Sequence, residues 1–159
     1  MPIQIRVARS EDREAIVALV PRLRAFGEVP LYTPEQLDTG ERVTLDRALD
    51  TMPEGATLLV AELDELGVVG FAYGESATDY FTKETHGHLG IIAVAESGEG
   101  KGVGRALLEA IEAWSAASGH RFLTLNAFEN NSHARAFYER NGYAADTIRY
   151  FKRMFGAND

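Results

Sequence analysis

The feature that most constrains this chain is an apolar run that leads through a glycine-rich stretch into an amphipathic helix. Residues 88–95, HLGIIAVA, predict a strand that is buried on both faces. The next stretch, ESGEGKGVGRALL at 96–108, has four glycines at alternate positions. Apolar residues then recur at helical spacing over 103–118, and Gly119 supplies the helix end. A strand, a glycine loop and a helix in this order predict an α/β unit with exposed backbone at its turn.

The glycine-rich stretch predicts a binding site for an anionic group. The first N–H groups of a helix have no partner within the helix, and the helix dipole attracts anions to that end. Glycines let the backbone approach a ligand closely, and Lys101 and Arg105 add positive charge. The stretch does not match two known phosphate-binding motifs. Gly102 stands where a P-loop has Ser or Thr. Arg105 or Leu107, depending on the alignment, stands where a Rossmann turn has Gly or Ala. The alternative is an ordinary flexible loop between a strand and a helix.

The rest of the chain alternates strands and helices around this unit. Ser10 is the predicted N-cap of the first helix, and Pro21 is predicted to end or kink it. No internal repeat or linker divides the chain, so we expect one domain over residues 1–159, of the α/β or α+β class, with a central mixed sheet. Strands are predicted at 3–8, 56–63, 67–75, 88–95, 121–128 and within 143–155, helices at 34–52 (one or two), 103–118 and 131–142, and a loop at 76–87.

Composition limits the classes of function. Acidic residues outnumber basic ones by 24 to 16, for a formal charge of −8, which argues against nonspecific binding to nucleic acid or to an anionic membrane. The absence of cysteine excludes disulfides, thiolate zinc sites and a cysteine nucleophile, and it fits a cytoplasmic location. The N-terminus does not resemble a signal peptide, and no apolar run approaches the roughly 20 residues that span a bilayer.

Two motifs resemble those of the GNAT N-acetyltransferase family. The first is the acyl-CoA-binding motif Arg/Gln-x-x-Gly-x-Gly/Ala, which Gly102 and Gly104 match, whereas Glu99 stands where the family prefers Arg or Gln. The second is Asn-x-x-Ala-x-x-Phe/Leu-Tyr-x-x-x-Gly-Phe/Tyr, which ENNSHARAFYERNGY matches at Asn131, Ala134, Phe137, Tyr138, Gly142 and Tyr143. Each motif alone is common, but both in this order resemble the family strongly. The resemblance implies a GNAT-like fold, in which a mixed, mostly antiparallel sheet is flanked by helices.

The resemblance also implies acetyl-CoA as cosubstrate. His86 and His88 form an HxH pair, but the sequence shows no third ligand, so we expect no metal site. The backbone of the fourth strand is expected to pair with the pantetheine arm, and the glycine loop is expected to hold the pyrophosphate. Asn131 and Tyr138 are two helical turns apart and therefore share one side of their helix, which places Asn131 near the pantetheine and Tyr138 near the sulfur. The expected cofactor-binding residues are Ile92, Ala93, Val94, Glu99, Gly100, Lys101, Gly102, Val103, Gly104, Arg105, Asn131, Ala134, Phe137 and Tyr138.

Direct acyl transfer to an amine, without a covalent enzyme adduct, is the chemistry that this family resemblance implies. The backbone N–H groups around Val94 are the expected donors to the acyl carbonyl oxygen. Tyr138 is the expected general acid for the leaving thiolate, since a phenol with a pKa of about 10 keeps its proton at neutral pH. The alternative for Tyr138 is simple helix packing with its hydroxyl at the surface.

The general base is harder to assign from the sequence. Many family members use a carboxylate on the fourth strand, but this strand has none. His88 is the tentative base and His86 lies next to it, because they are the groups nearby that titrate near neutrality; the alternative is a solvated residue at a strand end. A base is needed because deprotonating a lysine-like amine at pH 7 costs roughly 4–5 kcal/mol, against about 1 kcal/mol for an α-amino group. Glu28, Asp79 and Tyr80 lie in loops that we expect to line the acceptor pocket.

Three functions are compatible with these observations. The first is an N-acetyltransferase that acts on a small-molecule or peptide amine, and its acidic surface favours cationic acceptors. The second is a non-catalytic acyl-CoA-binding or sensor module, which Glu99 and the missing strand carboxylate favour. The third is a nucleotide-binding domain of another fold, which the failed motif spacings disfavour. A homodimer is expected from the habit of the family, and no motif identifies the acceptor.

Overall fold

A five-stranded mixed sheet forms the centre of the protein. The computed structural model describes residues 2–156. Its strands are β1 (Ile3–Val7), β2 (Thr57–Leu63), β3 (Gly67–Thr78), β4 (Thr85–Val94) and β5 (Leu123–Leu125), and its helices are α1 (Arg13–Ala18), α2 (Pro34–Asp50), α3 (Val103–Ala117) and α4 (Ser132–Arg140), with 3-10 turns at Ser10–Asp12, Val20–Arg24 and Glu96–Gly98. The strands lie in the order β1-β2-β3-β4-β5, antiparallel from β1 to β4 and parallel between β4 and β5. The predicted class, a mostly antiparallel mixed sheet flanked by helices, is confirmed.

Helices cover both faces of the sheet and create two apolar cores. On one face, Ile16 of α1 and Leu45 of α2 are fully buried in a cluster with Phe71 of β3. On the other face, Leu107 and Ile111 of α3 are fully buried in a second cluster, which also contains side chains of β4, β5 and α4. Burial of one such side chain contributes about 1.5–3 kcal/mol to stability. Because both faces of the central strands are occupied, a ligand can approach the sheet only at its edges and ends.

The strands β4 and β5 pair over a short distance and then separate. On β4, pairing with β5 runs only from Gly87 to Leu89, whereas β4 itself continues to Val94. Gly90 has no opposite residue on β3, so β4 contains a bulge there, and a bulge increases the local twist of a strand. The result is a gap in the sheet beside the second half of β4.

The first helical segment differs from the prediction in its cap and its length. Ser10 is not the N-cap; it begins a 3-10 turn whose cap position is Arg9. Asp12 supplies the capping oxygen instead, because its carboxylate accepts the Arg9 N–H at 2.7 Å and binds Arg6 at 2.8 Å. The α-helix ends before Pro21, which lies inside the following 3-10 turn, so the predicted break at this proline is confirmed.

The sequence patterns predicted the bounds of several strands wrongly. The predicted loop at 76–87 is a loop only between β3 and β4, which pair out to Thr78 and Thr85. The predicted strand at 121–128 is reduced to β5. The closing strands within 143–155 are absent from the described residues, and Ile148, Tyr150 and Phe155 are largely exposed there. An apolar alternation forms a strand only where it pairs with a neighbouring backbone, and within residues 2–156 this segment pairs with no strand.

Candidate active site

The glycine-rich stretch forms an open turn between β4 and α3. Gly100 and Gly102 have φ of 72° and 81°, in the left-handed region that side chains with a Cβ disfavour. Gly102 is the N-cap of α3 and provides no capping side chain, so the first N–H groups of α3 stay available. A Cβ on Gly104 would lie 3.5 Å from the ring of Phe137, so α4 crosses close to the start of α3. Val103 is buried in the core and can offer a ligand only its backbone.

Two predicted cations lie beside this turn and contact other protein groups. The Lys101 ammonium donates to the carbonyl of Ser97 at 2.7 Å, which folds its side chain back over the turn. The Arg105 guanidinium pairs with the Glu109 carboxylate at 2.9 Å on the exposed face of α3. Exposed pairs of this kind are worth little and exchange readily, so both cations can turn toward an anion at the helix start.

A third cation, which sequence reasoning missed, reaches the turn from the other side of the molecule. Arg22, in the 3-10 turn after α1, forms an ion pair with Glu99. Its Nε also donates to the carbonyl of Val94 at 3.2 Å. Glu99, the residue that departs from the family pattern, is thus neutralised by a cation 77 positions away in the sequence, and no local pattern could have shown the pairing.

The second half of β4 presents backbone groups to the gap. The N–H of Ala95 donates to the Val69 carbonyl of β3 at 2.7 Å. Bonded and non-bonded pairs alternate along antiparallel strands, so Ala93 also bonds to β3, whereas the N–H and C=O groups of Ile92 and Val94 point away from it. The Arg22 contact with the Val94 carbonyl agrees with this direction. Of the three residues expected to bind pantetheine through their backbone, Ile92 has a free N–H and C=O among residues 2–156 and Ala93 has neither. Val94 has a free N–H, because its carbonyl already accepts from Arg22.

Tyr138 of α4 belongs to the apolar cluster that contains Ile92 and Val94. Its ring packs edge-on against Phe137 and Tyr143, with centroids 5.3 and 5.9 Å away. Burial raises the pKa of Tyr138 to about 12. Within residues 2–156 its hydroxyl has no hydrogen-bond partner, so the phenol is protonated at neutral pH and has a donor to offer.

The remaining residues of the second motif hold α4 in place. Asn131 is the N-cap, as predicted, and its Oδ1 accepts the N–H of Ala134 at 3.2 Å. This bond uses the side-chain oxygen of Asn131 and leaves its Nδ2 as a donor. The hydroxyl of Tyr143 donates to the Glu112 carboxylate of α3 at 2.7 Å, which ties the end of the motif to α3.

His88 lies on the opposite face of the sheet from Tyr138. Leu89 packs into the α3 cluster, and side chains alternate along a strand, so His88 faces the α1 and α2 side. It is half-buried, and its Nδ1 lies 2.8 Å from the Thr124 hydroxyl. Burial lowers the pKa of His88, although the nearby Glu75 carboxylate acts in the opposite direction. His88 is therefore mostly neutral at pH 7.

Glu75 and Thr124 are neighbours of His88 that the sequence did not reveal. Glu75 of β3 and Thr124 of β5 are the residues directly opposite His88 on the two adjacent strands. Only the strand register brings these three side chains together. Together with His88 they form a polar cluster at the point where β4 and β5 begin to separate.

The residues expected in the acceptor loops have other roles. Asp79 accepts three hydrogen bonds within the β3–β4 turn, from Phe81 and Thr82. Tyr80 is 77% exposed at the same turn, and the turn precedes Ile92 by more than seven residues of strand, or about 23 Å. The structure thus places Asp79 and Tyr80 away from the gap.

Glu28 and His86 also differ from their expected settings. Glu28 is exposed, and its carbonyl accepts a hydrogen bond from Asn130 at 2.8 Å. His86 is buried rather than solvated, stacks on Phe122 with centroids 4.6 Å apart, and has no partner for Nδ1 among residues 2–156. It supports the edge of the sheet next to His88.

Two further findings concern metals and membranes. Within the described part of the chain, no three His, Asp or Glu side chains are grouped closely enough to hold a metal ion. None of the helices described between residues 2 and 156 combines the length and the apolar character that crossing a bilayer requires.

Comparisons with known proteins agree with this geometry. The family model for the acetyltransferase (GNAT) family matches residues 25–143. The uncharacterized N-acetyltransferase YhfO of Bacillus subtilis is 28% identical over 145 residues, which cover 91% of this chain and 92% of that protein. The 5-NmdU N-acetyltransferase of Pseudomonas phage PaMx11 is 46% identical over 55 residues, which cover 35% of this chain and 37% of that protein.

The fold is also similar to solved structures. The ribosomal-protein-alanine N-acetyltransferase of Brucella melitensis superimposes with a TM-score of 0.70 at 22% identity, over 96% of this chain and 100% of that chain. The family match spans most of the chain, and both the glycine turn and the second motif lie within the matched residues. The chain belongs to the GNAT acetyltransferase family and is an N-acetyltransferase.

Proposed function

We propose that residues 1–159 act as a single domain that transfers an acetyl group directly from acetyl-CoA to an amine on a small molecule or a peptide. The observation that carries this proposal is the gap beside β4. Among residues 2–156, it combines unpaired backbone groups of Ile92 and Val94 with the hydroxyl of Tyr138, which has no hydrogen-bond partner there and belongs to the same cluster. Acetyl-CoA supplies the activated acyl thioester, and every other part of the site belongs to the protein.

The residues around the gap fit coenzyme A along its length. The uncapped start of α3, with Lys101 and Arg105 beside it, suits the pyrophosphate. The N–H of Val94 and the C=O of Ile92, both free within residues 2–156, suit the amides of pantetheine, which would extend the sheet in the way that a strand does. The Nδ2 of Asn131 is a further donor near the start of α4.

Tyr138 is the proposed general acid. With a pKa of about 12 its phenol keeps its proton throughout the neutral range. The hydroxyl can therefore donate a proton to a departing thiolate, and no protein acceptor within residues 2–156 competes for it. The N–H of Ile92 is the proposed donor to the acyl oxygen, since it is held rigidly by the sheet, points into the gap and lies nearer to His88 along β4 than Val94 does.

His88 is the proposed general base. Thr124 Oγ1 lies 3.4 Å from the Gly87 carbonyl and 2.8 Å from His88 Nδ1. If the hydroxyl donates to Gly87, it accepts the Nδ1–H of His88, and Nε2 then carries the lone pair that removes a proton from the amine. Glu75 on the adjacent strand stabilises the imidazolium that results.

The two faces of the sheet divide the work in this proposal. Tyr138 and the glycine turn lie on the α3 and α4 side, and His88 lies on the α1 and α2 side. The gap between β4 and β5 is the passage between them. Coenzyme A and the amine therefore approach the gap from different sides of the sheet, which leaves the acyl carbon accessible to the amine.

The test is release of free thiol from acetyl-CoA in the presence of a panel of amines. We expect amine-dependent release above hydrolysis, and Tyr138→Phe should lower kcat about a hundredfold or more without changing the Kd for coenzyme A. Tyr143→Phe is the matched control: it removes a phenol from the same aromatic group but one bonded to Glu112, so it should cost stability and leave kcat nearly unchanged. Equal kcat losses in both variants would remove Tyr138 from the acid role. Stabilisation by coenzyme A without turnover on any amine would instead indicate a binding module.

Two further proposals come from the sequence. The composition suggests a cytoplasmic location, which fractionation of cells that express the natural protein would test. Self-association as a homodimer is proposed by analogy with the family, and light scattering after gel filtration would show a mass of either one or two chains of 17.5 kDa.

A further inference from the structure

A groove runs along α2, on the side of the sheet where His88 lies. It has a volume of about 330 Å³ and is lined by Tyr32, Gln36, Leu37, Gly40, Glu41 and Thr44. Leu37 and Glu41 also border a smaller cavity of about 30 Å³ beneath it. The volume of the groove lies at the lower end of the range for small-molecule sites, so it can hold part of a small organic ligand.

Glu41 is an unpaired carboxylate between the groove and the smaller cavity. The neighbouring cation, Arg24, is fully engaged by Asp38 in a two-pronged ion pair of 2.8 and 3.0 Å. Arg149 reaches the Tyr32 hydroxyl at 3.5 Å, but no cation within residues 2–156 forms an ion pair with Glu41. Burial is what raises the pKa of the Glu41 carboxyl. Glu41 therefore offers the groove a carboxyl group without a counter-ion among the described residues, and a cationic ligand beside it would favour its ionised form.

Aromatic rings stand next to this carboxylate. Phe128 stacks on Phe26 with centroids 5.9 Å apart, and Tyr32 meets Phe128 edge-on at 6.5 Å. Tyr32 and Phe128 remain 36% and 40% exposed. An exposed aromatic face next to a partly desolvated carboxylate is a typical environment for an organic cation, since the ring attracts positive charge and the hydrocarbon of the ligand packs on it.

The groove is separated from the reacting end of β4 by the 3-10 turn Val20–Arg24. On one side of this turn Arg22 contacts the Val94 carbonyl, and on the other side Leu23 and Arg24 line the smaller cavity. The width of one helix, about 10 Å, therefore lies between Glu41 and the gap. An ammonium held by Glu41 keeps its proton and cannot be the amine that is acetylated.

We propose that this groove binds a second, positively charged group of the acceptor, with Glu41 as its counter-ion and Tyr32 and Leu37 as its apolar walls. The proposal rests on the proposed function, because it takes the acceptor to be the amine that is acetylated across the gap. The acceptor class that follows is a diamine or oligoamine whose two nitrogens lie roughly 10 Å apart, about the width of the intervening turn.

The experiment compares 1,8-diaminooctane with octylamine, which has the same chain and one charge fewer. We expect the wild-type protein to show a lower KM for the diamine, and Glu41→Gln to raise that KM about tenfold with kcat and the KM for octylamine unchanged. Glu35→Gln, which makes the same charge change on α2 outside the groove, should alter neither KM. Calorimetry with 1,8-diaminooctane, on the protein saturated with coenzyme A, should show the same tenfold loss of affinity in Glu41→Gln.

The outcomes separate this proposal from the proposed function. Turnover of both amines with no effect of Glu41→Gln would overturn the groove and leave the acetyltransferase assignment intact. Binding of the diamine that depends on Glu41, without turnover of any amine, would support the groove and contradict the proposed function. The proposed role of the groove would also be overturned if the diamine were neither acetylated nor bound, or if Glu41→Gln affected both amines equally.

Discussion

The ion pair between Arg22 and Glu99 should control how tightly the protein binds coenzyme A. Glu99 lies in the turn that we propose for the pyrophosphate, where a negative charge opposes binding, and Arg22 offsets it. Replacing Glu99 by Gln removes that charge and releases Arg22, which can then turn toward the anion. We therefore expect Glu99→Gln to bind coenzyme A more tightly than the wild-type protein.

The size of the effect follows from Coulomb's law. Glu99 is three residues before Gly102, at most about 11 Å along the chain, so we take about 8 Å between its carboxylate and the pyrophosphate. At about 8 Å and a dielectric constant near 80, the two negative charges of the pyrophosphate repel the Glu99 carboxylate by about 1 kcal/mol in total. This energy corresponds to about a fivefold decrease in Kd. Arg22→Ala should raise Kd by a similar factor, and the double variant should return close to the wild-type value.

The assay is calorimetric titration of coenzyme A into each variant at low and high ionic strength. Because exposed charges are screened within about 10 Å at 0.1 M salt, both changes should shrink as salt is added. Glu54→Gln is the matched control, since Glu54 is an exposed acid in the loop before β2, near Gly55, whose carbonyl binds Ser76 at the far end of β3. It should leave Kd unchanged.

Weaker binding by Glu99→Gln would refute this reasoning. It would show that Glu99 shapes the turn through its bond to Arg22, and that the shape matters more than the charge. An identical decrease in Kd for Glu54→Gln would refute it in another way, because the effect would then come from net charge alone.

Three more predictions concern stability and pH. Asp12→Asn should lower the free energy of unfolding by about 2–4 kcal/mol at pH 7. The control Asp50→Asn, at an exposed, ion-paired residue, should change this free energy little. The pKa of Asp12 is lowered, chiefly by its hydrogen bonds from Arg6, so its contribution is present above about pH 4 and is lost as the pH falls through the lowered pKa; urea unfolding at pH 7 and pH 3 measures this. In the wild-type protein, kcat/KM should decrease at a pH below the ordinary histidine pKa of about 6.5, because His88 becomes protonated. His88→Gln should abolish this decrease, and an unchanged pH profile would assign the base elsewhere. Gly102→Ala should cost about 1 kcal/mol, since φ is 81° there, and lower Tm by a few degrees in a thermal melt; an unchanged Tm would show that the turn can relax.

Local patterns along the chain predicted most elements, including those that carry the residues we propose for the cofactor. The glycine turn, α3, and α4 with Asn131 as its cap were predicted because capping, helical periodicity and the left-handed glycine conformation act over only a few residues. The position of Tyr138 on a helix was predicted for the same reason, since its motif is short and centred on α4.

The acceptor side could not be predicted, because strand register and packing create it. Glu75 and Thr124 become neighbours of His88 only through pairing with β3 and β5, and Arg22 meets Glu99 only because the turn after α1 packs beside β4. The prediction of closing strands failed for a related reason, since the alternation in 143–155 pairs with no strand among the described residues.

By itself, therefore, the sequence determined the parts of this acetyltransferase whose physics is local: the strand, the glycine turn, the helix that follows it and the helix of Tyr138. Tertiary structure alone decided where β4 and β5 separate, which backbone groups face the gap, and which side chains surround His88 and Glu41. The physical reason is that a backbone conformation is selected by neighbours in sequence, whereas the burial and pairing of a charged or polar group depend on residues that only folding brings together.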